Sequence, residues 1–370
     1  MRVLFVTVPV RAHTMPLVPL AWALRGAGHE VLFASAGEAS AVAGAGLPMA
    51  DIAPGLNIRP LFVSLFARHD GLNEPRPPSD EENLTIAEIF GKLNLILADG
   101  LDGLASAWRP DLIVHDATAV AGAVIGAKLG IPAVRHDYAM ESAEGLRDRF
   151  GAAMDAELAR FGLDALPEEI AAINITPRSV VPSDDWPMRC LPFNGGATTP
   201  PWLLTEPRRP LVAVTMGLTW GNLYGPVEQI VSAAAEVDAD FVLALGERDV
   251  SHLGALPPNV RAEGWVSMSE LIPRCAALIH HGGGGTAFAA LAHGVPQLIY
   301  PGGISHFEGA DAIAGRGAAL IGAEEDFDPA LVGRVLEDPA VRAAATEVSA
   351  EMAQMPSPLQ VARRLTSLVA

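Results

Sequence analysis

Short runs rich in valine, isoleucine and leucine alternate with helical segments through both halves of this 370-residue sequence. Such alternation leaves few folds open besides parallel sheets covered by helices. Arg2 to Val8 reads as a strand, Leu17 to Ala27 as a helix stopped by Gly28-His29-Glu30, and Val31 to Ala34 as the next strand, which makes a βαβ unit. The same order returns after Leu211 to Thr215, with a helix over Val227 to Ala235, strands at 241 to 245 and near 260 to 263, a helix at 268 to 273, and strands at 276 to 279 and 297 to 300. Each half is expected to be doubly wound. A chain of this length divides by default into two cores of roughly 180 residues each.

The most informative stretch runs from Leu278 to Leu291. An apolar strand passes through His280 and His281 into four glycines, and Thr286 opens a helical segment that ends at His293-Gly294. Glycine lets a ligand approach the main chain, and the unpaired N–H groups at a helix start, with the positive end of its dipole, attract anions. A phosphate fits such a place. Thr286 offers a hydroxyl as helix cap or phosphate donor, and His281 a further N–H; a plain tight turn is the alternative.

In the first half, polar residues fall at the carboxyl ends of strands, where open α/β sheets bind ligands. His13 follows the first strand in the loop Pro9 to Pro16, Asp116 ends the strand Asp111 to Asp116, and His136-Asp137 ends the strand from Ile131. Two carboxylates and a histidine around one crevice are what proton abstraction needs, because a carboxylate fixes the imidazole tautomer and stabilises its charged form. Any one of them read alone could instead be a surface group or a helix cap. The first turn contains no glycine, so the GxGxxG of a dinucleotide site is missing. Between these strands, residues 53 to 83 read as an irregular binding loop or lid around Leu61 to Phe66, followed by a helix from about Thr85 to Ala107. Glu144 to Ile170 reads as helical with a break near Gly162, and Ile173 to Val181 as the last strand of this half.

The Pro-, Gly- and Thr-rich stretch from Pro192 to Trp202 is the best linker signal. The expected division is a domain over 1–195, a linker over 196–208, a second domain over 209–355, and a C-terminal helix over 356–370 that packs back on the first domain with Arg363 and Arg364 outward. A second glycine turn, Met216 to Asn222, follows the first strand of the second half. The DxD at Asp238-Ala239-Asp240 lies at a strand's entry and is read as a solvated turn.

With 25 basic and 43 acidic residues the chain carries a formal charge of −18, the wrong sign for binding nucleic acid. A phosphorylated ligand would need a local cluster of donors. No uninterrupted apolar run suggests a membrane span, the N-terminus reads as a buried strand and not a signal peptide, and Cys190 and Cys275 read as packed thiols, which fits a reducing cytoplasm. The oligomeric state stays open, with a homodimer among the options.

With these motifs in place, the sequence resembles the inverting glycosyltransferases of the two-Rossmann GT-B fold, in particular the bacterial enzymes that glycosylate macrolides, angucyclines and other antibiotics. The resemblance covers nearly the whole chain. It is carried by His13-Thr14-Met15-Pro16 with Pro19 to Val31, by Pro192 to Gly195, by Glu263 to Val266, Leu271 to Ala276, His281 to Thr286 and Gly294 to Gln297, and by Met355 to Pro358. It implies two Rossmann-like domains facing across a cleft, an apolar aglycone on the N-terminal half, and a nucleotide sugar, with no metal, on the C-terminal half. By the same likeness the base would lie beside Trp265 and Val266, and the diphosphate on His281, Gly283, Gly285 and Thr286, helped by Gly217 and Thr219. His13 would be the general base and Asp116 its partner, with Phe62, Phe66, Asp137 and Tyr138 toward the acceptor.

The sequence departs from the family after Pro301. An Asp-Gln pair that hydrogen-bonds sugar hydroxyls is usual there, and this chain has Ser305-His306. Fewer carboxylate acceptors suit a sugar with fewer hydroxyls, so a dTDP-deoxysugar donor is expected. A second carboxylate, Asp137, would suit C-glycoside formation by helping deprotonate a phenol, or else only bind acceptor or donor sugar. The rival classes are an NAD-type oxidoreductase, disfavoured by the missing fingerprint; a catalytically silent homologue serving as partner or activator of another transferase, which the Ser305-His306 change keeps open; and a sugar-nucleotide epimerase, which no residue favours.

Overall fold

The computed structural model describes residues 1–68, 76–138, 140, 150, 154, 158–216, 226–246, 248–302, 306–323 and 329–369. Two wholly parallel sheets organise them. The first holds β1 (Arg2–Val6), β2 (Glu30–Ser35), β3 (Met49–Asp51), β4 (Leu112–Asp116), β5 (Ala133–Asp137), β6 (Ala171–Asn174) and β7 (Trp186–Pro187), in the order β3-β2-β1-β4-β5-β6-β7. The second holds β8 (Leu211–Thr215), β9 (Asp240–Ala244), β10 (Val260–Glu263), β11 (Ala277–His280), β12 (Gln297–Ile299) and β13 (Ala319–Ile321), in the order β10-β9-β8-β11-β12-β13. Parallel strands covered on both faces need continuous apolar runs, and Val3 to Val6, Leu112 to Val114 and Val212 to Val214 are all buried. The strand order reverses between β1 and β4 and again between β8 and β11. Those two switch points are where an open α/β sheet leaves a crevice at its carboxyl edge.

Several segments differ from the sequence reading. The irregular stretch 53–83 contains a helix, Arg59–Arg68, which buries Phe62 and Leu65, while residues 69–75 lie outside the described residues. The long helix begins at Asp80 and runs to Trp108. Its start is a capping box in which the Ser79 hydroxyl accepts from the Glu82 N–H at 3.3 Å and the Glu82 carboxylate accepts from the Ser79 N–H at 2.6 Å. Arg76 also grips Glu82 at 2.9 and 3.0 Å, and its hydrogen bond, ahead of that from Ser79, holds the carboxyl down to about 2. Helix propensity alone had pointed to Thr85, five residues late.

The last strand of the first half is shorter than Ile173 to Val181 suggests. Asn174 Oδ1 accepts from the Thr176 N–H at 2.7 Å and Pro177 has no N–H to give, so the ladder stops at Asn174. Of the helical stretch expected over Glu144 to Ile170, only Phe150, Met154 and residues 158–160 are described as helical, and Gly162, at φ +74°, closes it. The final helix, Pro358–Val369, packs Val361, Ala362 and Leu365 into the core that holds Leu17, Leu20 and Leu24 of the first half. Arg364 lies over the Trp186 ring, 3.4 Å from its centroid. Asp238 and Asp240, at the entry of β9, bind Arg209 at 2.7 and 3.2 Å. No helix among the described residues is long and apolar enough to cross a membrane.

Candidate active site

The loop expected after β1 is wound into a helical turn, Arg11–Thr14, that leads through Met15–Leu17 into the helix Val18–Gly26. Thr14 anchors the turn, bonding the Thr7 hydroxyl at 2.9 Å and donating to the Val10 carbonyl at 3.2 Å. This sets His13 at the carboxyl edge of β1, opposite the end of β4. Asp116 ends β4 and is fully buried. Its Oδ2 accepts from the Val8 N–H at 2.9 Å, and its Oδ1 from the Thr118 N–H at 2.8 Å, the Ala119 N–H at 3.1 Å and the Thr118 hydroxyl at 2.6 Å. Burial alone would push this carboxyl up. The neighbouring His13, the Thr118 hydroxyl and the Val8 N–H together outweigh burial and hold it below its usual range.

His13 and Asp116 come together, but indirectly. Nδ1 of His13 is 3.8 Å from Asp116 Oδ1, too far for a hydrogen bond, and 2.9 Å from the Thr118 hydroxyl. A carboxylate only accepts, so the single Thr118 hydroxyl proton goes to Asp116 and the oxygen accepts from Nδ1–H. In the neutral imidazole this makes Nε2 the acceptor, and the Tyr138 hydroxyl donates to it at 3.2 Å. The imidazole is flanked by Tyr138 and by Phe90, at centroid distances of 4.4 and 5.7 Å. Asn94 of the long helix pins the turn after β4, donating to the Thr118 carbonyl at 2.8 Å and accepting from the Ala121 N–H at 2.9 Å. Thr118, Asn94 and Phe90 were not singled out in the sequence; an Asp-x-Thr turn after a strand is compatible with Thr118 capping Asp116 but does not foretell its contact with His13.

Asp137 is not part of this arrangement. Its carboxylate is taken by Arg135 at 2.9 Å, and Arg135 also bonds Asp185 at 3.1 Å. Burial pushes Asp137 up to about 6 against the pull of Arg135. The reason is strand alternation: Arg135 and Asp137 share one face of β5, and His136, paired in register with Asp116, takes the other. His136 is buried, and burial drops it to about 4. Phe62 is buried edge-on against Phe90 at 6.2 Å, behind the histidine's wall. The side chain of Phe66 lies outside the described residues, as do Gly217, Thr219 and Ser305.

In the second half, His281 leaves β11 and the helix Gly284–His293 starts at an N-cap glycine, Gly283, with no side-chain cap. The glycines are required sterically. A Cβ at Gly283 would lie 2.5 Å from His281 Nε2, and Gly282, at φ +91°, would place one 3.0 Å from the His306 Cβ. Behind them His280 serves as scaffold. Its Nδ1 accepts from the Gly282 N–H at 3.1 Å, so its Nε2 donates to Gln297 Oε1 at 2.9 Å and the ring is neutral. His306 meets the His281 ring edge-on at 4.8 Å. Burial drops His281 to about 4 and His306 well below its ordinary value.

Both halves line one cavity of about 260 Å³. Arg11, His13 and Tyr138 face it from the first half; Thr215, Trp265, Val266, His306 and the run His281 to Thr286 face it from the second. Cys190 to Asn194, read in the sequence as a packed thiol leading into a linker stretch and not as site residues, form part of its wall. His13 thus shares a cavity with a glycine-rich helix start. Among the described residues no group of three His, Cys, Asp or Glu side chains is placed to hold a metal.

Two family models match the chain: the erythromycin biosynthesis protein CIII-like N-terminal domain over residues 22–217 and the corresponding C-terminal domain over residues 228–368. The elloramycin glycosyltransferase ElmGT of Streptomyces olivaceus is 36% identical over 371 residues, covering 99% of this chain and 97% of its own. The crystal structure of the glycosyltransferase SnogD from Streptomyces nogalater superposes with a TM-score of 0.84 at 37% identity, over 100% of this chain and 99% of that one. That of the Streptomyces sp. SF2575 glycosyltransferase SsfS6, complexed with thymidine diphosphate, gives a TM-score of 0.85 at 29% identity, over 99% of both chains.

Proposed function

Because the chain belongs to the erythromycin CIII-like family of antibiotic glycosyltransferases and has their GT-B fold, we propose that it transfers a deoxyhexose from a dTDP-sugar to a hydroxyl of an apolar, polyketide-type aglycone, with inversion at the anomeric carbon. Residues 1–195 hold the acceptor, residues 209–355 hold the donor, and the segment between them hinges the two.

The observation that carries this reading is the hydrogen-bond chain from His13 through Thr118 to Asp116. The His13 Nδ1–H is committed to Asp116 through Thr118, so Nε2 faces the cavity as a base. The acceptor hydroxyl replaces the Tyr138 hydroxyl at Nε2 and gives up its proton there. Its oxygen attacks the anomeric carbon from the face opposite the diphosphate, the carbon–oxygen bond to phosphate breaks, and the electron pair leaves with the diphosphate. The imidazolium formed is stabilised by the Asp116 charge one hydroxyl away. On the other wall Trp265 and Val266 receive the base. His281 and the first N–H groups of the helix Gly284–His293 meet the charge growing on the leaving group, and no reorganisation is needed because they are already in place.

Two observations support the finer assignment. The complex of SsfS6 with thymidine diphosphate favours a thymidine nucleotide. His306 in place of an amide or carboxylate at the sugar end removes acceptors for hydroxyls, which favours a deoxysugar. O-transfer is preferred to C-transfer because Asp137 is held by Arg135 away from His13. With an aromatic polyketide aglycone as acceptor, dTDP-deoxyhexoses are expected to turn over at least about tenfold faster than UDP-glucose, read as kcat/KM by chromatographic product analysis. A preference for UDP-glucose would overturn the donor assignment.

A further inference from the structure

Among the described residues that line the cavity, Arg11 is the single arginine or lysine. It belongs to the first half, two residues from His13 on the same turn, yet its guanidinium lies over the second half. The guanidinium carbon is 4.9 Å from the Trp265 ring centroid, and Nη2 donates to the Asn194 carbonyl at 3.4 Å. Asn194 reaches the glycine turn in its turn, since a Cβ at Gly285 would meet its Oδ1 at 2.9 Å. Gly195, at φ +106°, keeps this corner open: a Cβ there would sit 2.7 Å from Arg11 Nη2 and 3.2 Å from the Trp265 ring. No carboxylate among the described residues ion-pairs with Arg11, although the chain carries 43 acidic residues.

A diphosphate must be met by positive charge, and the surrounding field of a chain at −18 opposes it. The start of a helix supplies about half a charge. Arg248, whose charge reaches His281, stands outside the cavity lining. A guanidinium pairs with two phosphate oxygens at once and also stacks on an aromatic face, so the same group can rest on Trp265 and then move to phosphate. Resting on the reading that a nucleotide sugar lies beside Trp265, we propose that Arg11 is a donor-binding residue supplied by the acceptor domain. When the base takes the Trp265 face, the guanidinium transfers to the diphosphate oxygens at the Gly283 to Thr286 turn and draws the His13 turn toward the donor. Donor binding and delivery of the base are thereby one event.

The test is calorimetric titration of wild type, Arg11→Gln and Arg11→Lys with dTDP, and with thymidine by competition. Arg11→Gln is expected to weaken dTDP by about tenfold or more while leaving thymidine within about twofold, and Arg11→Lys to recover part of the loss. Three results would overturn the proposal: Arg11→Gln binding dTDP as tightly as wild type; tighter binding, which would make Arg11 only a cover for Trp265; or an equal loss for dTDP and thymidine, which would confine its role to shaping the base pocket. Wild type that binds neither nucleotide would overturn the donor reading itself, and the role of Arg11 with it.

Discussion

His13→Ala is expected to lower kcat by about three orders of magnitude while leaving the affinity for dTDP within about twofold. The effect is large because, among the described residues of the first half that surround His13, no other side chain is placed to take the acceptor's proton. Asp116 is buried beneath four hydrogen bonds, His136 is enclosed behind it, Tyr138 donates to His13, and Asp137 is bound to Arg135. Dissociation of the acceptor's proton would then fall to bulk water. The proposed donor cradle is built on β8, β11 and the helix Gly284–His293, so loss of the imidazole should be read in turnover and not in nucleotide binding. Paired kinetics and calorimetry on the same preparation check it; a variant that keeps more than about a tenth of wild-type kcat would remove His13 from the proton transfer.

A second large effect is expected at Asp116. Asn keeps the shape but carries no charge, and one of its two positions becomes an N–H donor. If that nitrogen takes the Oδ2 place it faces the Val8 N–H; in the Oδ1 place it faces Thr118 and Ala119. Either way a buried donor loses its acceptor, which costs on the order of 1–3 kcal/mol of stability. The imidazolium formed in turnover also loses its counter-charge. Asp116→Asn should lower kcat by about a hundredfold or more and lower the melting temperature together with it. Thr118→Val separates the two consequences. It leaves the carboxylate and its backbone donors in place but breaks the link to Nδ1, so kcat should fall by about tenfold with a much smaller change in melting temperature. Unchanged kcat in Thr118→Val would mean that His13 and Asp116 act without the bridging hydroxyl.

The fold was legible because parallel strands buried on both faces leave long apolar runs that a helix cannot mimic at such short length; β1, β4, β8 and β11 are all of this kind. Glycine punctuation marked the turns that follow β8 and β11, whereas those after β1 and β4 carry none. The short edge pieces β3 and β7 were missed because three residues, or two, carry no periodicity, and their pairing depends on neighbours distant in sequence. His13 and Asp116 were visible as polar residues at or just beyond the carboxyl ends of buried strands, where an open α/β sheet leaves its crevice. Asp137 looked equivalent in the sequence, and the difference lies in side-chain parity along β5, where Arg135 two residues earlier captures it. Thr118 stayed hidden because its role depends on a distance across two loops. The part that Asn194 and Gly195 play in the cavity wall was equally hidden, for a Pro- and Gly-rich composition says where a chain bends and not what it bends around.

The most direct measurement is the anomeric configuration of the product, read from the H1 coupling and through-space contacts in its proton NMR spectrum, when the donor is a dTDP-deoxysugar of known configuration. A single displacement driven by Nε2 of His13, with the diphosphate leaving toward the helix Gly284–His293, gives a product of opposite configuration to the donor. A product that retains the donor's configuration would require a second displacement on the enzyme and would contradict the roles given to both walls of the cavity.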